Sequence, residues 1–429
     1  MPYGLTCSMG EEIGVLCHIT SLPGENTNSG KTFIDILTKS NVKVWQMLPI
    51  TPPNHDGSPY SSPSAFAGYS KFITTKQKST MEKENYWLED WALFTTIKQS
   101  QNNLPWNEWP IELRDRHPDA MNEWKKKINP EINIQAQFQK SWFDLKKYSN
   151  ERDIKLIGDL PIFVNHDSAD VWAHRELFQL DSNGLPTYVA GVPPDYFSKD
   201  GQIWNTVLYN WQAHANENWR WWKERVSRML RLFDVIRIDH FRGFHSAWAI
   251  PTTNKNAHNG FWQEGPKESI LTQIMDVAGK SEKIIAEDLG IIPPEVIELR
   301  KKFNLKGMAV LQFGFDSNTT NNPHYPPNIK SDQVVYTGTH DNNTTQGWWN
   351  SLDSGVQNNI VSDFLNSDEE PLNGLIRIAK ESSANMAIFP LQDLLGLGED
   401  ARMNTPGTSS NNWKWKTNWK NIEKLSKNI

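Results

Sequence analysis

Acidic side chains that follow short apolar stretches are the residues of this sequence best placed to do chemistry. Each of them closes or follows a run of β-branched and other apolar residues. If those runs are strands of one sheet, the acids meet at one edge, where like charges raise one another's pKa and cost stability. Function is the usual reason for tolerating such a cluster. The acids concerned are Asp159, Asp239, Glu287, Asp341 and Asp393.

Several carboxylates without a recognisable set of metal ligands suit the cleavage of a glycosidic bond. A retaining mechanism needs one carboxylate as nucleophile and a second carboxyl group, about 5 Å away, as acid and base. Arg237 lies two residues before Asp239, so on a strand both side chains point the same way, and we expect the cation to keep the carboxylate ionised. The apolar residues before Glu287 are expected to raise its pKa, as a general acid requires. His340, beside Asp341, is placed to donate to a sugar hydroxyl.

The elements that would position these acids form a repeating pattern. Eight apolar runs, unbroken rather than alternating, are mostly separated by helical stretches, as in parallel strands buried on both faces. Strands alternating with helices in this number predict an α/β fold of the (β/α)8 TIM-barrel type, with catalytic residues at the carboxyl ends of the strands. An open doubly wound sheet is the alternative. The runs are residues 12–20, 42–50, 155–164, 233–241, 283–290, 307–316, 333–341 and 386–393.

Two connections are too long for a single helix and predict helix-rich insertions at the C-terminal face of the barrel. We expect a catalytic barrel over residues 1–416, interrupted by a helical insertion at 70–154 between the second and third strands. A second insertion, at 165–232 between the third and fourth strands, is predicted to begin with a Pro- and Gly-rich loop that includes 182–206. Residues 417–429 are predicted to form a C-terminal tail.

Composition and charge limit the classes of partner. The sequence has 44 Lys and Arg against 50 Asp and Glu, a net charge of -6, which argues against a surface for nucleic acid or for an anionic membrane. Neither a stretch of about 18 apolar residues nor a basic leader followed by an apolar run is visible, so we predict a cytoplasmic protein without membrane spans. Cys7 and Cys17 are then expected to stay reduced.

Tryptophan is unusually abundant, with 20 residues in the chain. Two interpretations stay open from composition alone. One is a stiff aromatic core, in which each indole N–H needs a partner. The other is a set of flat platforms on which sugar rings stack.

Sequence motifs of other enzyme classes are absent or incomplete. The 11 histidines lack the clustering expected of a zinc hydrolase, and neither a G-x-S-x-G nor a phosphate-binding loop motif is present. Residues 396–401, GLGEDA, fit a loose dinucleotide pattern, but Pro406 leaves little room for the helix that such a site needs. A non-catalytic carbohydrate-binding barrel would lack at least one of the three central acids, Asp239, Glu287 and Asp341, and all three are present.

A series of motifs carries a resemblance to a known family. The motifs are HITSLPG (18–24), GSPYSSPSAFAG (57–68), GDLPIFV (158–164), HDSADVW (166–172), AGVPPDYFS (190–198), RIDHFRG (237–243), AEDLG (286–290), YTGTHDN (336–342) and NTPGT (404–408). In these motifs and their order, the chain resembles the 4-α-glucanotransferases of the amylomaltase, or disproportionating enzyme, family of the α-amylase superfamily. The resemblance covers nearly the whole chain and implies an enzyme that needs no metal or organic cofactor.

The resemblance also implies roles for individual residues. Asp239 of RIDHFRG would be the nucleophile, Glu287 of AEDLG the acid and base, and Asp341 of THDN the stabiliser of the transition state. On the acceptor side, Gln202 and Trp204 would contact the incoming sugar. The full set of substrate contacts implied by the resemblance is Tyr60, Asp159, Asp195, Gln202, Trp204, Arg237, His340, Asp316 and Asn404.

The implied reaction is the cleavage of an α-1,4-glucan, with the glucosyl part held on Asp239 and passed to the 4-hydroxyl of glucose or of another maltodextrin. The partners would be maltodextrins, glucans derived from starch or glycogen, and glucose as acceptor. An α-1,4-glucan hydrolase of the same superfamily would use the same three acids, so it stays an alternative, as does a non-catalytic carbohydrate-binding barrel.

Three departures from the family's pattern concern the acceptor path and the accessory segment. ENTNSGK follows HITSLPG where the family has a Gly-rich stretch, and Asn205 and Thr206 follow GQIW where the family has Gly-Asn-Pro. The segment between Tyr60 and Asp159 is shorter than in many members. These departures bear on chain-length preference and on cyclic products rather than on the class of reaction.

Overall fold

The structure is a computed structural model, and most of the chain is described in it. The described residues are 12–75, 81, 86–194, 200–316 and 320–427. Cys7 and the predicted substrate contact Asp195 lie outside these ranges. Within them, no helix combines the length and the apolar character needed to cross a bilayer.

The described strands fall into two sheets, and helices fill most of the connections between them. In chain order the strands are β1 (Glu12–Leu16), β2 (Val44–Gln46), β3 (Lys155–Pro161), β4 (Val164–Asn165), β5 (Tyr188–Val192), β6 (Gln202–Val207), β7 (Val235–Asp239), β8 (Ser246–Pro251), β9 (Phe261–Glu264), β10 (Ile284–Ala286), β11 (Gly307–Val310), β12 (Gln333–Tyr336) and β13 (Met386–Pro390). The helices are α1 (Thr27–Lys39), α2 (Leu88–Ser100), α3 (Ile111–Arg114), α4 (Pro118–Lys125), α5 (Asn129–Asn150), α6 (Ala169–Ala173), α7 (Trp211–Asn216), α8 (Arg220–Leu232), α9 (Glu268–Ala278), α10 (Pro294–Lys302), α11 (Thr345–Ser351), α12 (Ser354–Phe364), α13 (Pro371–Lys380), α14 (Leu391–Leu394) and α15 (Trp419–Ile422).

The larger sheet is a barrel of eight parallel strands. Its order is β10-β7-β3-β2-β1-β13-β12-β11. β1 and β13, the first and last barrel strands along the chain, pair with each other, and Glu12 lies opposite Met386. At the remaining seam, a parallel bridge joins Ile285 to Lys306, and the Ala286 N–H donates to the Lys306 carbonyl at 2.8 Å. Each of the eight predicted apolar runs contains one of these strands, so the predicted (β/α)8 TIM barrel is confirmed.

Apolar side chains pack on both faces of the barrel strands. Inward-facing residues such as Val44, Ile157 and Ile388 form a buried cluster in the centre. On the outer face of β3, Gly158 leaves space that the ring of Phe233 fills, since an added Cβ would lie 2.2 Å from a carbon of that ring. This packing fixes β3 one residue before Asp159, which points toward the barrel interior.

The outer layer is made by helices that return the chain to the next strand. α1 packs against α5, and α8 packs against both α5 and α9. α5 leads into β3, and α8 leads into β7. Between α7 and α8, Asn218 and Trp219 adopt positive φ angles of 56° and 57°, which end the first helix and redirect the chain into the second.

The second sheet corrects the prediction of an irregular loop at 182–206. It is antiparallel, in the order β4-β6-β5-β8-β9, and β5 and β6 come from the segment predicted as a loop. Their pairing depends on β8, for example Tyr188 opposite Pro251, which no local sequence pattern reveals. Because β4 closely follows β3 and β8 closely follows β7, this sheet lies beyond the carboxyl ends of those barrel strands.

Candidate active site

The carboxyl ends of four barrel strands bring the predicted acids together. Asp159 lies near the end of β3, Asp239 is the last residue of β7, and Glu287 directly follows β10. Asp341 lies on the connection after β12. Side-chain contacts described below link Asp159, Asp239 and Asp341, and Glu287 joins them through the backbone N–H of His240. We call the group formed by Asp159, Arg237, Asp239, Tyr60 and His340 the cleavage-point cluster; Asp159, Arg237 and His340 are buried, and Tyr60 and Asp239 are partly buried.

Arg237 is the centre of the cleavage-point cluster. Its Nη1 donates to both carboxylate oxygens of Asp159 at 2.8 Å, and its Nη2 lies 3.0 Å from Oδ1 of Asp239. The guanidinium is almost completely buried. Burial lowers the pKa of Arg237, but the carboxylates of Asp159 and Asp239 outweigh it and raise that pKa overall. The predicted pairing of Arg237 with Asp239 along one face of the strand is therefore present.

Three rings surround the same carboxylates. The Tyr60 hydroxyl donates to Oδ2 of Asp159 at 2.5 Å, and its ring stacks on His340 with centroids 5.0 Å apart and 15° between the planes. Trp413 lies against both, 5.7 Å from Tyr60 and 5.9 Å from His340. Sequence reasoning missed Trp413, although the second half of NNWKW, next to the NTPGT motif, was an available signal.

Glu287 is tied to the end of the neighbouring strand. Its Oε2 accepts the backbone N–H of His240 at 2.6 Å, and its Oε1 accepts that of Leu289 at 2.8 Å. His240 offers its N–H in this direction because it adopts a left-handed φ of 52°. Only a few per cent of residues other than Gly take this conformation, with Asn, Asp and His the most frequent, and strained backbone of this kind clusters at functional sites.

Burial and mutual repulsion raise the pKa of the Glu287 and Asp239 carboxyl groups, which favours retention of a proton by this pair. Burial raises the pKa of Glu287, and Arg237 opposes that shift. Burial also raises the pKa of Asp239 well above its ordinary value, and Asp159, Glu287 and Asp341 add to the shift while Arg237 lowers it. The expectation that Arg237 keeps Asp239 ionised is thus right for the direction of its effect, but burial and the other carboxylates outweigh it.

Asp341 is hydrogen-bonded on one side and exposed to solvent on the other. Nδ2 of Asn404 donates to its Oδ1 at 2.6 Å, and Nη2 of Arg402 donates to its backbone carbonyl at 2.7 Å. Nε2 of His340 lies 3.4 Å from the same Oδ1. The Asp341 side chain remains 46% exposed, which leaves the carboxylate accessible from the mouth of the barrel.

Gln202 and Trp204 lie on β6 of the second sheet, at the edge of the acids. The Trp204 Nε1 donates to Oε1 of Gln202 at 3.2 Å, and its ring meets His240 edge to face at 4.8 Å. Asn205, one of the departures from the family's pattern, has a φ of 55°. Asn tolerates this left-handed conformation, as the Gly of the family's pattern does, so the backbone turn is compatible with either residue.

The ENTNSGK departure also has a structural explanation. The side chain of Asn26 accepts the backbone N–H groups of Asn28 and Ser29, at 3.0 and 3.2 Å, and so caps the first turn of α1. Asn is among the residues preferred at this position. The polar stretch therefore starts a barrel helix.

Two of the predicted acids lie elsewhere. Asp316 is exposed on the connection after β11, where its Oδ1 accepts a hydrogen bond from Asn322 at 3.1 Å. Asp393 is buried and accepts from the hydroxyls of Thr337 and Thr345, both at 2.6 Å, and from the Thr345 N–H at 2.7 Å. It therefore anchors the start of α11. In the described ranges, no group of three or more His, Cys, Asp or Glu side chains is arranged to hold a metal ion.

The architecture and the convergent acids define a class, and comparison with known proteins gives the family. Acids converging at the carboxyl ends of barrel strands are typical of enzymes that act on glycosidic bonds. Residues 17–82 and 75–421 match the sequence profile of glycoside hydrolase family 77, 4-alpha-glucanotransferase. The chain belongs to this family and is a glycosyl-transferring enzyme, a 4-alpha-glucanotransferase.

Individual relatives agree with the family. The chain is 38% identical to the 4-alpha-glucanotransferase of Thermus thermophilus, over 94% of this chain and 94% of the relative. It is also 38% identical to the chloroplastic/amyloplastic 4-alpha-glucanotransferase of Solanum tuberosum, over 97% of this chain and 84% of the relative. Among solved structures, the amylomaltase from Streptococcus agalactiae in complex with acarbose matches with a TM-score of 0.91 and 30% identity, over 97% of this chain and 98% of that one. The resemblance found in the sequence motifs is confirmed.

Proposed function

We propose that the enzyme works by a retaining mechanism in which Asp239 is the nucleophile and Glu287 the acid and base. An oxygen of Asp239 attacks the anomeric carbon of an α-1,4-linked glucose, while the Glu287 carboxyl group gives its proton to the departing 4-oxygen. The bond to the leaving chain breaks, and a glucosyl ester with Asp239 forms. The 4-hydroxyl of an acceptor then attacks the same carbon, its proton passes to Glu287, and the Asp239 carboxylate is released.

The contrast between the two carboxyl groups is the observation that carries this assignment. Asp239 is paired with a guanidinium at 3.0 Å, which favours its ionised form as the attacking group. Glu287 is instead held by the backbone N–H groups of His240 and Leu289, and burial raises its pKa, as a general acid requires. Two neighbouring acids with different partners are the usual arrangement for a nucleophile beside a general acid.

The other residues of the site are proposed to hold the sugar at the cleavage point. Asp341, fixed by Asn404 but exposed in front, would stabilise positive charge on the anomeric carbon. His340 would donate to a sugar hydroxyl, and Tyr60 would stack on the ring. Asp159 would reach the sugar while it positions Arg237. The exposed Asp316 and the acceptor-side Asp195 stay predictions from the resemblance.

Transfer rather than hydrolysis requires that water be kept from the glucosyl ester. Trp204 places an indole next to His240, on the side from which an acceptor would approach. An apolar wall there favours a sugar over water, because a sugar ring offers apolar faces that stack on an aromatic ring and water does not. The proposed donors are maltodextrins and glucans derived from starch or glycogen, and the proposed acceptors are glucose and maltodextrins. The proposed mechanism uses no metal or organic cofactor.

Incubation with maltotriose alone tests the proposal, with Asp239→Asn as the control and thin-layer chromatography as the measurement. We expect glucose together with a ladder of longer maltodextrins from the wild-type enzyme and no products from the variant. Glucose and maltose without longer products would identify a hydrolase. A ladder that persists in the variant would remove Asp239 from the nucleophile's role. The cytoplasm stays the predicted location, to be tested by cell fractionation.

A further inference from the structure

An exposed apolar surface lies beside the acids and takes no part in the chemistry proposed above. Trp262, on the edge strand β9, is 40% exposed, and Ile291 is 66% exposed. The guanidinium of Arg242 lies 3.6 Å from the centroid of the Trp262 ring and donates from Nη1 to the Ile291 carbonyl. We call Arg242, Trp262 and Ile291 together the acceptor shelf.

Contacts on two sides hold the Trp262 indole in place. Arg242 covers one face, and the ring of Trp248 meets Trp262 at 5.1 Å with 61° between the planes. Cross-strand pairing of Trp248 with Trp262 places both on the same side of the second sheet. Since one face is covered and the residue is still 40% exposed, the accessible surface lies on the opposite face and the edges. Exposed apolar surface that is contiguous and rimmed by polar groups is typical of ligand-binding grooves.

The acceptor shelf is continuous with the reaction centre on the side of the acid and base. Arg242 follows Asp239 by three residues, and Ile291 follows Glu287 by four. The hydrogen bond from Arg242 to Ile291 therefore joins the loop of the nucleophile to the loop of the acid and base. In a retaining mechanism the acid and base contacts the oxygen of the leaving and entering sugars. A chain that extends from this oxygen passes along the Glu287 side.

We propose that the acceptor shelf binds the acceptor maltodextrin beyond its first glucose, with Trp262 stacked on a sugar ring. The proposal rests on the proposed transfer function and extends it. Its consequence is a preference for acceptors: a maltodextrin gains the contact with Trp262, and glucose, which occupies the position next to Glu287 alone, does not.

A second copy of the chain is the main competing occupant, because β9 is the edge of its sheet. Edge strands can pair with another chain through free backbone groups. β9 is short, however, and it ends in the exposed Glu264, which is paired with Lys267. Short length and charge are the usual protections against edge pairing. Because these features disfavour edge pairing, the part of β9 that remains available for binding is the ring of Trp262, on which a sugar can stack.

The test measures acceptor kinetics for Trp262→Ala and Trp262→Phe. Labelled glucose and labelled maltotetraose serve as acceptors with an unlabelled maltodextrin donor. For Trp262→Ala we expect the acceptor KM for maltotetraose to rise about tenfold, as one lost aromatic contact predicts, and the KM for glucose to change less than about twofold. Trp262→Phe should recover most of the loss.

Phe261→Ala is the matched control. Phe261 is the preceding residue on β9, is 45% exposed and points to the other side of the sheet, where it packs against Tyr188 at 5.3 Å. It should leave both acceptor KM values unchanged. Equal rises for both acceptors in Trp262→Ala, or no rise for either, would overturn the proposal. So would a shift in sedimentation velocity from dimer to monomer in this variant with unchanged kinetics. If the wild-type enzyme transfers to neither acceptor, the proposed function itself fails.

Discussion

The cleavage-point cluster and the acceptor shelf are neighbours, but they consist of different kinds of side chain. The cluster is largely buried and ionic, with Arg237 held between Asp159 and Asp239 at 2.8 and 3.0 Å. The shelf is exposed and aromatic, with Trp262 held in place by one cation. Both use an arginine, yet Arg237 is surrounded by carboxylates, and Arg242 by an indole and a backbone carbonyl.

This difference explains how one enzyme can bind the sugar at the cleaved bond in one orientation and still accept glucan chains of different lengths. Buried charges fix one sugar in one orientation, because a misplaced charge in a low dielectric is expensive. An aromatic surface accepts a sugar ring with little directional demand, so glucans of different lengths can enter and leave. The following predictions test this division of labour, from the largest expected effect to the smallest.

After the loss of products already expected for Asp239→Asn, Glu287→Gln should have the largest effect on the rate. The amide cannot donate a proton to the leaving oxygen, so the initial rate of glucose release from maltotriose should fall about 10³-fold, within the range for loss of a general acid and base. Glu295→Gln, a change of an exposed residue in the first turn of α10, is the matched control and should keep the wild-type rate. A loss smaller than tenfold in Glu287→Gln would place the acid elsewhere.

Arg237→Met should reduce kcat/KM about 10²-fold and change its pH dependence. Arg237 lowers the pKa of Asp239, so removing the cation raises that pKa further. Because Asp239 must be ionised to attack, activity should then appear only at higher pH, and the acidic limb of the kcat/KM profile should move upward. Arg237→Lys keeps a charge but loses the two-sided guanidinium contact, and its limb should move less. An unmoved limb in Arg237→Met would separate Arg237 from the ionisation of Asp239.

Trp204→Ala should show an intermediate effect that distinguishes it from changes in the acceptor shelf. Trp204 lies next to His240, at the proposed first acceptor position, so the acceptor KM should rise about tenfold for glucose and maltotetraose alike. The share of donor that is hydrolysed should also increase, because water gains access to the glucosyl ester. Product analysis by chromatography measures both. A rise confined to maltotetraose would move Trp204 to the distal part of the path.

The smallest expected effect is on stability: Asp239→Asn, although it abolishes activity, should raise the Tm by about 2 °C at pH 7. The folded-state pKa of Asp239 is raised, so the folded protein loses stability as pH rises from the unfolded-state pKa through the folded-state pKa. The neutral amide removes that penalty at pH 7. The gain should disappear near pH 3, where the carboxyl group of the wild-type protein is itself neutral. Calorimetry at both pH values, with the exposed Asp276→Asn as control, makes the measurement.

The barrel could be predicted from the sequence because its signal is local. Each barrel strand is an apolar run buried on both faces, and each acid that follows such a run lies at or near the carboxyl end of a strand. The same local signal placed Asp159, Asp239 and Glu287 at one rim and identified the Arg237 pairing. It could not separate Asp393, which follows a strand as the others do but hydrogen-bonds to Thr337 and Thr345.

The second sheet and the aromatic residues around the site could not be predicted, because they depend on contacts between distant segments. β5 is a short Gly-containing strand that acquires its partners from β6 and β8 on either side of α8 and β7. Trp413 reaches Tyr60 only through the turn of the C-terminal segment, in which its own φ is 63°. With 20 tryptophans, composition alone cannot show which are core residues and which face a sugar.

The pairing of β1 with β13 sets the earliest moment at which a newly synthesised chain can act. At about 5–20 residues per second, translation reaches the partner of Glu12, Met386, roughly 20–75 s after Glu12 itself. Asp239 and Glu287 leave the ribosome well before that moment, while Asn404, which holds Asp341, leaves after it. A nascent chain therefore carries its proposed nucleophile long before it can use it, and a product of premature termination has two open barrel edges and no working centre.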